Sequence, residues 1–303
     1  MHGFLSIDKP AGWTSHDVVG YIRKQFRTTR VGHAGTLDPD ATGVLLVAVG
    51  NATRLLPYVQ TEPKVYDAIA AFGVATSTED ASGTETERVD ATSLSENDLA
   101  AVIPTFVGAI QQVPPMVSAV HHHGQRLYEL ARKGIVVERN ARTVQIMSIA
   151  QGDFTPGPLA TMQLTIACGT GTYIRTLCVD IGRAVNLPAH MQKLLRVQVG
   201  PHMLTGSVPP HEATVEHLRP MADLLPQWPR FICDDEACVQ LSFGRGLSTQ
   251  YLNPVLCSPV VDNDSACYAL ALSPAGDILA LMKSTEGQTW QPIRVFLPVE
   301  GKQ

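Results

Sequence analysis

At 303 residues, with 45% hydrophobic and 17% charged content, the chain can bury a sizeable core and accommodate two domains, which excludes a disordered class. No apolar run approaches the roughly 18 residues of a membrane-spanning helix, and the first residues carry His2, Asp8 and Lys9 instead of a signal-peptide apolar stretch, so a cytoplasmic protein is expected. The net charge of −5 suits a phosphate-rich partner poorly unless positive charge is concentrated locally.

Residues 4–7 read as a short strand, after which Thr14 or Ser15 caps a helix with Val18, Ile22 and Phe26 at helical spacing. The sequence GHAGTLDPDATG, residues 32–43, then sets Asp38 in a glycine-punctuated loop. Its glycines give backbone freedom, and Pro39 biases Asp38 toward an extended conformation. The apolar run 44–49 that follows reads as a buried strand anchoring the loop. On spacing alone Asp38 has two open readings: a pre-oriented nucleophile, or an Asx-turn carboxylate bonded to its own backbone.

Residues 65–72 read as a further strand. Residues 79–98 hold seven acids against one base, a solvated outer face, and within them Ser95-Glu96-Asn97-Asp98 opens a helix with Leu99, Val102, Ile103 and Phe106 on one side and Gly108 closing it. Residues 121–145 have the opposite balance, with Arg126, Arg132, Lys133, Arg139 and Arg142 against Glu129 and Glu138. Three successive histidines, 121–123, cannot converge on one ion from a strand, so no metal is expected. Residues 161–168 alternate Met162, Leu164, Ile166 and Cys168 on one side as a half-buried strand, and residues 174–185 form a helix facing inward with Leu177, Cys178, Ile181 and Val185. The GTGT turn between them is either an anion-receiving strand-to-helix junction or a tight connection.

Prolines cluster at 209, 210, 220, 226 and 229, marking a boundary. Beyond it, segments 255–261, 267–272, 277–282 and 290–296 read as short strands of a small β-rich module. Residues 231–303 carry four Lys/Arg against eight Asp/Glu, so strong phosphate binding is not expected there. The six cysteines show no CxxC pair and are expected to be free thiols. Helices interspersed among strands without a regular βαβ rhythm favour an α+β class.

GHAGTLDPDATGVL, residues 32–45, resembles the catalytic motif of the TruB family of tRNA pseudouridine synthases, typically GHxGTLDPxATGVL. Other blocks resemble the same family in the same order: IDKPAGWTSHDVV (7–19), Lys64-Val65-Tyr66, TSTEDASG (76–83), QVPPMVSAVHHHGQRLYELARKG (112–134), CGTGTYIRTLCVDIG (168–182) and LLRVQVGPH (194–202). The resemblance implies a pseudouridine synthase catalytic fold in residues 1–228, a mixed, largely antiparallel sheet flanked by helices. An RNA-contacting insertion is expected at about 115–142, and a small C-terminal PUA-like domain at 229–303.

It also implies the activity, formation of pseudouridine at the T-loop uridine numbered 55 of tRNA, with no cofactor, metal, membrane or guide RNA, by a protein expected to be a monomer. The resemblance assigns catalysis to Asp38, Tyr66 and Arg175: Arg175 pairs with the aspartate, and Tyr66 stacks on the target base and assists proton removal. His33 would enter the RNA loop as bases flip out. Lys9, Lys64, Arg126, Arg132 and Lys133 are expected at the RNA or in support of the fold, and Leu195 and Arg196 at the pocket wall. Two departures stand in the insertion: Val117 replaces a usual aromatic and His121 a usual lysine. A tRNA-folding chaperone with incidental catalysis is the alternative, and the acidic tail argues against a guide-RNA-dependent synthase. The resemblance thus implies that Asp38, Tyr66 and Arg175 converge on one pocket.

Overall fold

The computed structural model describes residues 1–116, 118, 121–122, 125–126, 135, 137–248, 253–255, 260–261, 267–284 and 289–296. Among these, a mixed nine-stranded sheet forms the larger body. The strands are β1 (Gly3–Lys9), β2 (Val31–Ala34), β3 (Thr42–Val49), β4 (Lys64–Phe72), β7 (Gly108–Gln112), β10 (Arg142–Thr155), β11 (Ala160–Cys168), β12 (Ala189–Val199) and β13 (His202–Met203). Two small hairpins lie outside it, β5 (Val74–Thr76) with β6 (Glu85–Arg88), and β8 (His121–His122) with β9 (Gln125–Arg126). The main path runs β1-β3-β12-β4-β11-β10-β7. Every pairing in this sheet is antiparallel except β3 with β12, as a mixed, largely antiparallel sheet requires.

Helix α1 (Ser15–Gln25) begins at a full capping box in which the Thr14 hydroxyl accepts from the Asp17 amide and Asp17 accepts from the Thr14 amide. Arg23 and Lys24 fall in its last turn, where cations oppose the helix dipole. Helix α2 (Glu96–Val102) starts at the expected Ser95–Asp98 box, but its apolar side continues as a 3-10 turn over Ile103–Phe106 with Pro104 at its start. Gly108, at φ +108°, then opens β7 rather than merely ending the helix. Helix α3 (Ile174–Ala184) packs Leu177, Cys178 and Ile181 against the sheet beside Tyr66, Ala68, Phe72 and Ile166.

The C-terminal residues form a second, seven-stranded sheet, with the path β15-β20-β19-β18-β14-β16 and β17 paired to β18. Its members are β14 (Arg230–Ile232), β15 (Leu247–Ser248), β16 (Asn253–Val255), β17 (Val260–Val261), β18 (Cys267–Leu272), β19 (Ile278–Ser284) and β20 (Thr289–Val295). Helix α4 (Asp235–Ser242) is capped by the Asp234 carboxylate. The strand expected over 255–261 is represented by β16 and β17, residues 256–259 lying outside the described set. Phe243 and Gly244 turn the chain after α4, with Gly244 at φ +70°. The two sheets share an apolar layer in which Phe4, Ala52 and Leu55 meet Leu224, Trp228, Leu270 and Leu281. The described cysteines are free.

Candidate active site

The Asp38 loop is held from three sides. Ser15, at the start of α1, exchanges hydrogen bonds with the residue before Asp38: the Leu37 amide donates to Ser15 Oγ at 2.9 Å and Ser15 Oγ donates to the Leu37 carbonyl at 3.2 Å. Lys9, completely buried, donates through Nζ to the carbonyls of Pro10 (2.9 Å), Trp13 (2.6 Å) and Pro39 (2.8 Å), tying the first loop of the chain to the residue after Asp38. From β12, Arg196 donates to the carbonyls of Val44 (2.8 Å), Gly35 (3.0 Å) and Thr36 (3.4 Å). Gly43 makes the approach of β12 possible: at φ +99°, a Cβ there would stand 2.2 Å from the Arg196 carbonyl oxygen.

Arg175 reaches the loop from the first turn of α3. Its Nε lies 3.0 Å from Asp38 Oδ2 and its Nη2 donates to Oδ1 at 3.3 Å, a two-pronged contact. The same guanidinium places Nη1 3.6 Å from Asp80 Oδ2 and donates to the Thr78 carbonyl at 3.0 Å. Arg175 is 3% exposed, whereas the Asp38 side chain keeps 37% of its surface open. The arginine is thus a buried anchor and the carboxylate faces the opening.

The start of α3 is itself fixed by Gln112, at the end of β7, which accepts from the Tyr173 amide at 3.0 Å and donates to the Tyr173 carbonyl at 3.2 Å. The GTGT turn is not a free anion receptor. The Thr170 amide donates to Glu62 Oε1 at 2.6 Å, so the chain's own carboxylate fills that role.

On β4, Lys64 and Tyr66 alternate onto the same face of the sheet. Tyr66 stands opposite Ile166 on β11 and Arg196 on β12, and Lys64 Nζ donates to Thr170 Oγ1 at 3.3 Å. Asp38, Lys64, Tyr66, Ser118, Thr170, Arg175, Leu194 and Arg196 line one cleft of about 280 Å³. The three residues assigned to catalysis therefore converge. A roomier hollow of about 600 Å³ between the β5–β6 hairpin and α3 contains none of them.

Burial governs the electrostatics of the cleft. It raises the Asp38 carboxyl above its ordinary value, Arg175 pulls it back, and Asp80 adds a further push upward. Burial also raises the Tyr66 phenol, with Arg196 opposing, so Tyr66 is neutral near pH 7. Lys64 is lowered by burial and then by Arg196. Burial lowers Lys9 to about 8 against the pull of Asp40 and Asp38, and lowers His33 to about 4, with His16 and Arg196 adding to the effect.

Several expected roles are corrected by these positions. Lys9 is buried with its donor directed at backbone carbonyls, so of its two expected roles it takes support of the fold, and Arg196 stands at the cleft wall as expected while also bracing the loop. Leu195 turns away from the cleft to a hollow on the other side of the sheet, beside Asp67 and Lys193, and Leu194 takes the wall position. His33, on β2, does not line the cleft. Its ring packs edge-on to His16 at 5.6 Å between centroids, and its buried Nδ1 has no partner among the described residues. Arg132, Lys133 and Val117 lie outside the described residues, as do the side chains of Arg126 and His121.

Three contributors escaped the sequence reading: Asp80, Gln112 and Ser118. Asp80 belongs to TSTEDASG, where its Oδ1 accepts from Thr78 Oγ1 and from the Ser82 amide and hydroxyl, a local Asx pattern that nearby Thr and Ser could have signalled. Ser118 Oγ is buried at the cleft wall without a partner among the described residues.

Residues 23–174 match the family described as TruB family pseudouridylate synthase (N terminal domain), and residues 175–222 match the tRNA pseudouridylate synthase B C-terminal domain. The chain belongs to the TruB family. The junction of the two matches falls at Arg175, so the Asp38–Arg175 contact joins them. A TruB relative from Symbiobacterium thermophilum, named tRNA pseudouridine synthase B, is 43% identical over 246 residues, covering 80% of this chain and 82% of the relative. A relative of the same name from Paenarthrobacter aurescens is 36% identical over 311 residues, covering 98% and 96%. Among solved structures, a Cbf5-Nop10-Gar1 complex contains a chain that superposes with a TM-score of 0.71 at 24% identity over 98% of this chain and 86% of that one, a likeness of fold.

Proposed function

We propose that this TruB family member isomerises uridine 55 in the T loop of tRNA to pseudouridine, acting as a monomer in the cytoplasm without guide RNA. The observation carrying this reading is the two-pronged Asp38–Arg175 contact in the floor of a cleft that also holds Tyr66.

The reaction breaks the N1–C1′ bond, forms C5–C1′, removes the C5 proton and protonates N1. It has no net redox change, so carboxylate chemistry and a site that retains the detached base suffice. Whether Asp38 attacks the ribose or the uracil ring, or stabilises charge at C1′, it must be ionised and aimed at the opening. Arg175 supplies both conditions: it favours the anion, and its rigid fork fixes the carboxylate plane. Tyr66 offers a flat apolar surface for the uracil. Because its phenol is neutral, it serves the C5 proton as a hydrogen-bonding relay rather than as a standing phenolate. Ser118 Oγ, without a partner among the described residues, offers a hydrogen bond to the base.

The test is incubation of the purified chain with an unmodified tRNA transcript, followed by pseudouridine mapping at single-nucleotide resolution. Modification confined to the T-loop uridine is expected. An unmodified transcript, or modification only when a second RNA is added, would overturn the reading.

A further inference from the structure

Outside the cleft, one stretch of the chain combines high positive charge with an absence of acids. Residues 18–37 include Arg23, Lys24, Arg27 and Arg30 and no Asp or Glu. All four are exposed, at the end of α1 and in the turn after it, where Arg27 adopts φ +49° and the Thr28 amide bonds back to the Arg23 carbonyl. Arg54, also exposed, stands across a hollow of about 340 Å³ from Arg30, with Gly50, Asn51 and Thr53 between them.

None of these five cations has a carboxylate partner among the described residues. Some exposed or half-exposed arginines elsewhere do, Arg88 with Glu85, Arg183 with Asp180 and Arg230 with Asp223, while Arg142, Arg219, Arg245 and Arg294 stand singly in other segments of the chain. None of the contacts the five make brings an opposite charge, although Arg54 also lies over the Phe296 ring, 4.8 Å from its centroid. Arg30 donates to Asn51 Oδ1 at 3.4 Å, Arg23 to the Val31 carbonyl at 3.0 Å and Arg54 to the Val295 carbonyl at 2.7 Å. His2, whose Nδ1 accepts from the Asn51 amide, registers the local potential: its pKa is lowered by burial, then by the N-terminal amine and Arg30.

The position of the patch is set by α1. The helix is stitched to the catalytic loop at Ser15 and carries the cations at its far end, so its 11 residues place them roughly 16 Å beyond that loop. In a chain of net charge −5 whose C-terminal residues are acidic, this is a concentrated site for phosphate neutralisation.

We propose that the Arg23, Lys24, Arg27, Arg30 and Arg54 surface grips the phosphate backbone of the double-helical stem adjoining the reacting loop. It positions the RNA without reading its sequence. The inference rests on the tRNA reading above.

The test compares wild type with a Lys24→Ala, Arg27→Ala, Arg30→Ala variant, binding full-length unmodified tRNA and a hairpin cut to the few base pairs that close the T loop. For full-length tRNA the variant binds roughly 10-fold more weakly at 0.1 M salt, and its slope of log affinity against log salt is shallower by about 2 to 3. Hairpin affinity and the single-turnover rate at saturating RNA are unchanged. Arg54→Gln, on the other side of the hollow, lowers the slope by about 1. An unchanged slope, or equal losses on both RNAs, overturns the proposal. If wild type binds tRNA but forms no pseudouridine, the reading of the cleft fails, while the salt slope still decides the patch.

Discussion

The cations of the cleft and those at the end of α1 contribute in opposite ways. Lys9, Arg175 and Arg196 are buried, and their donors go to carboxylates or to the carbonyls of the loop that presents Asp38. Lys24, Arg27, Arg30 and Arg54 are exposed and have no acidic partner among the described residues. A buried cation cannot remain unpaired without a large desolvation cost, so each one here is committed to geometry. An exposed cation bears little such cost, and its charge remains available to a polyanion. Positive residue type alone therefore did not identify the RNA-facing groups. Lys9, expected at the RNA or in support of the fold, is an internal brace, and Arg196 braces the loop from the cleft wall.

The sharpest way to break this contrast is Arg175→Ala. It removes the fork from Asp38 and leaves Asp80 facing an empty site, so the single-turnover rate should fall about 10²- to 10³-fold. A loss confined to tRNA affinity would place Arg175 with the exposed group instead. Asp80→Asn should lower the rate by about 10-fold, because Asp80 fixes the guanidinium without touching the reacting atoms. It also removes a charge that raises the Asp38 pKa. The rate should fall as pH drops through that pKa, which lies above the ordinary carboxylate value, and in Asp80→Asn this acidic limb should move to lower pH. A limb that stays put would exclude electrostatic coupling between the two aspartates.

Lys9→Met strips the ammonium donor from three carbonyls, at about 1 to 3 kcal/mol for each polar group left buried and unsatisfied, and should lower the melting temperature visibly. Arg27→Ala, which touches nothing comparable, should stay within about 0.5 kcal/mol of wild type. Equal destabilisation of the two variants would erase the distinction between braces and free charges.

A smaller effect concerns buried histidines. His202, against Phe4, and His33 have folded pKa values lowered to about 4, chiefly by burial. Between about 4 and 6.5 the unfolded chain binds protons at these positions that the folded chain does not. Their contribution to stability is therefore present above pH 6.5 and lost as pH falls toward 4. His202→Phe should flatten the decline of melting temperature across that window, and an unchanged decline would show that the ring is not neutral in the fold.

Much of the fold was legible because local signals and packing agree. The Thr14 and Ser95 boxes start their helices, the alternation of Met162, Leu164, Ile166 and Cys168 faces the core, and the segment 44–49 forms β3. The convergence of Asp38, Tyr66 and Arg175 was legible only through motif resemblance, since nothing local to β4 or α3 states which loop they approach. Leu195 was misplaced because a one-residue step in a strand exchanges the faces of the sheet. Gln112 and Asp80 were missed because their roles depend on partners far away in sequence, the Tyr173 backbone and the Arg175 guanidinium.

The central claim is that Asp38 is the reacting carboxylate, presented by Arg175. Its most direct test is Asp38→Asn, which keeps the shape of the side chain and removes the charge. The account predicts that tRNA binding stays near the wild-type level while no pseudouridine forms in a single-turnover assay. Pseudouridine accumulating at a rate near wild type would contradict it.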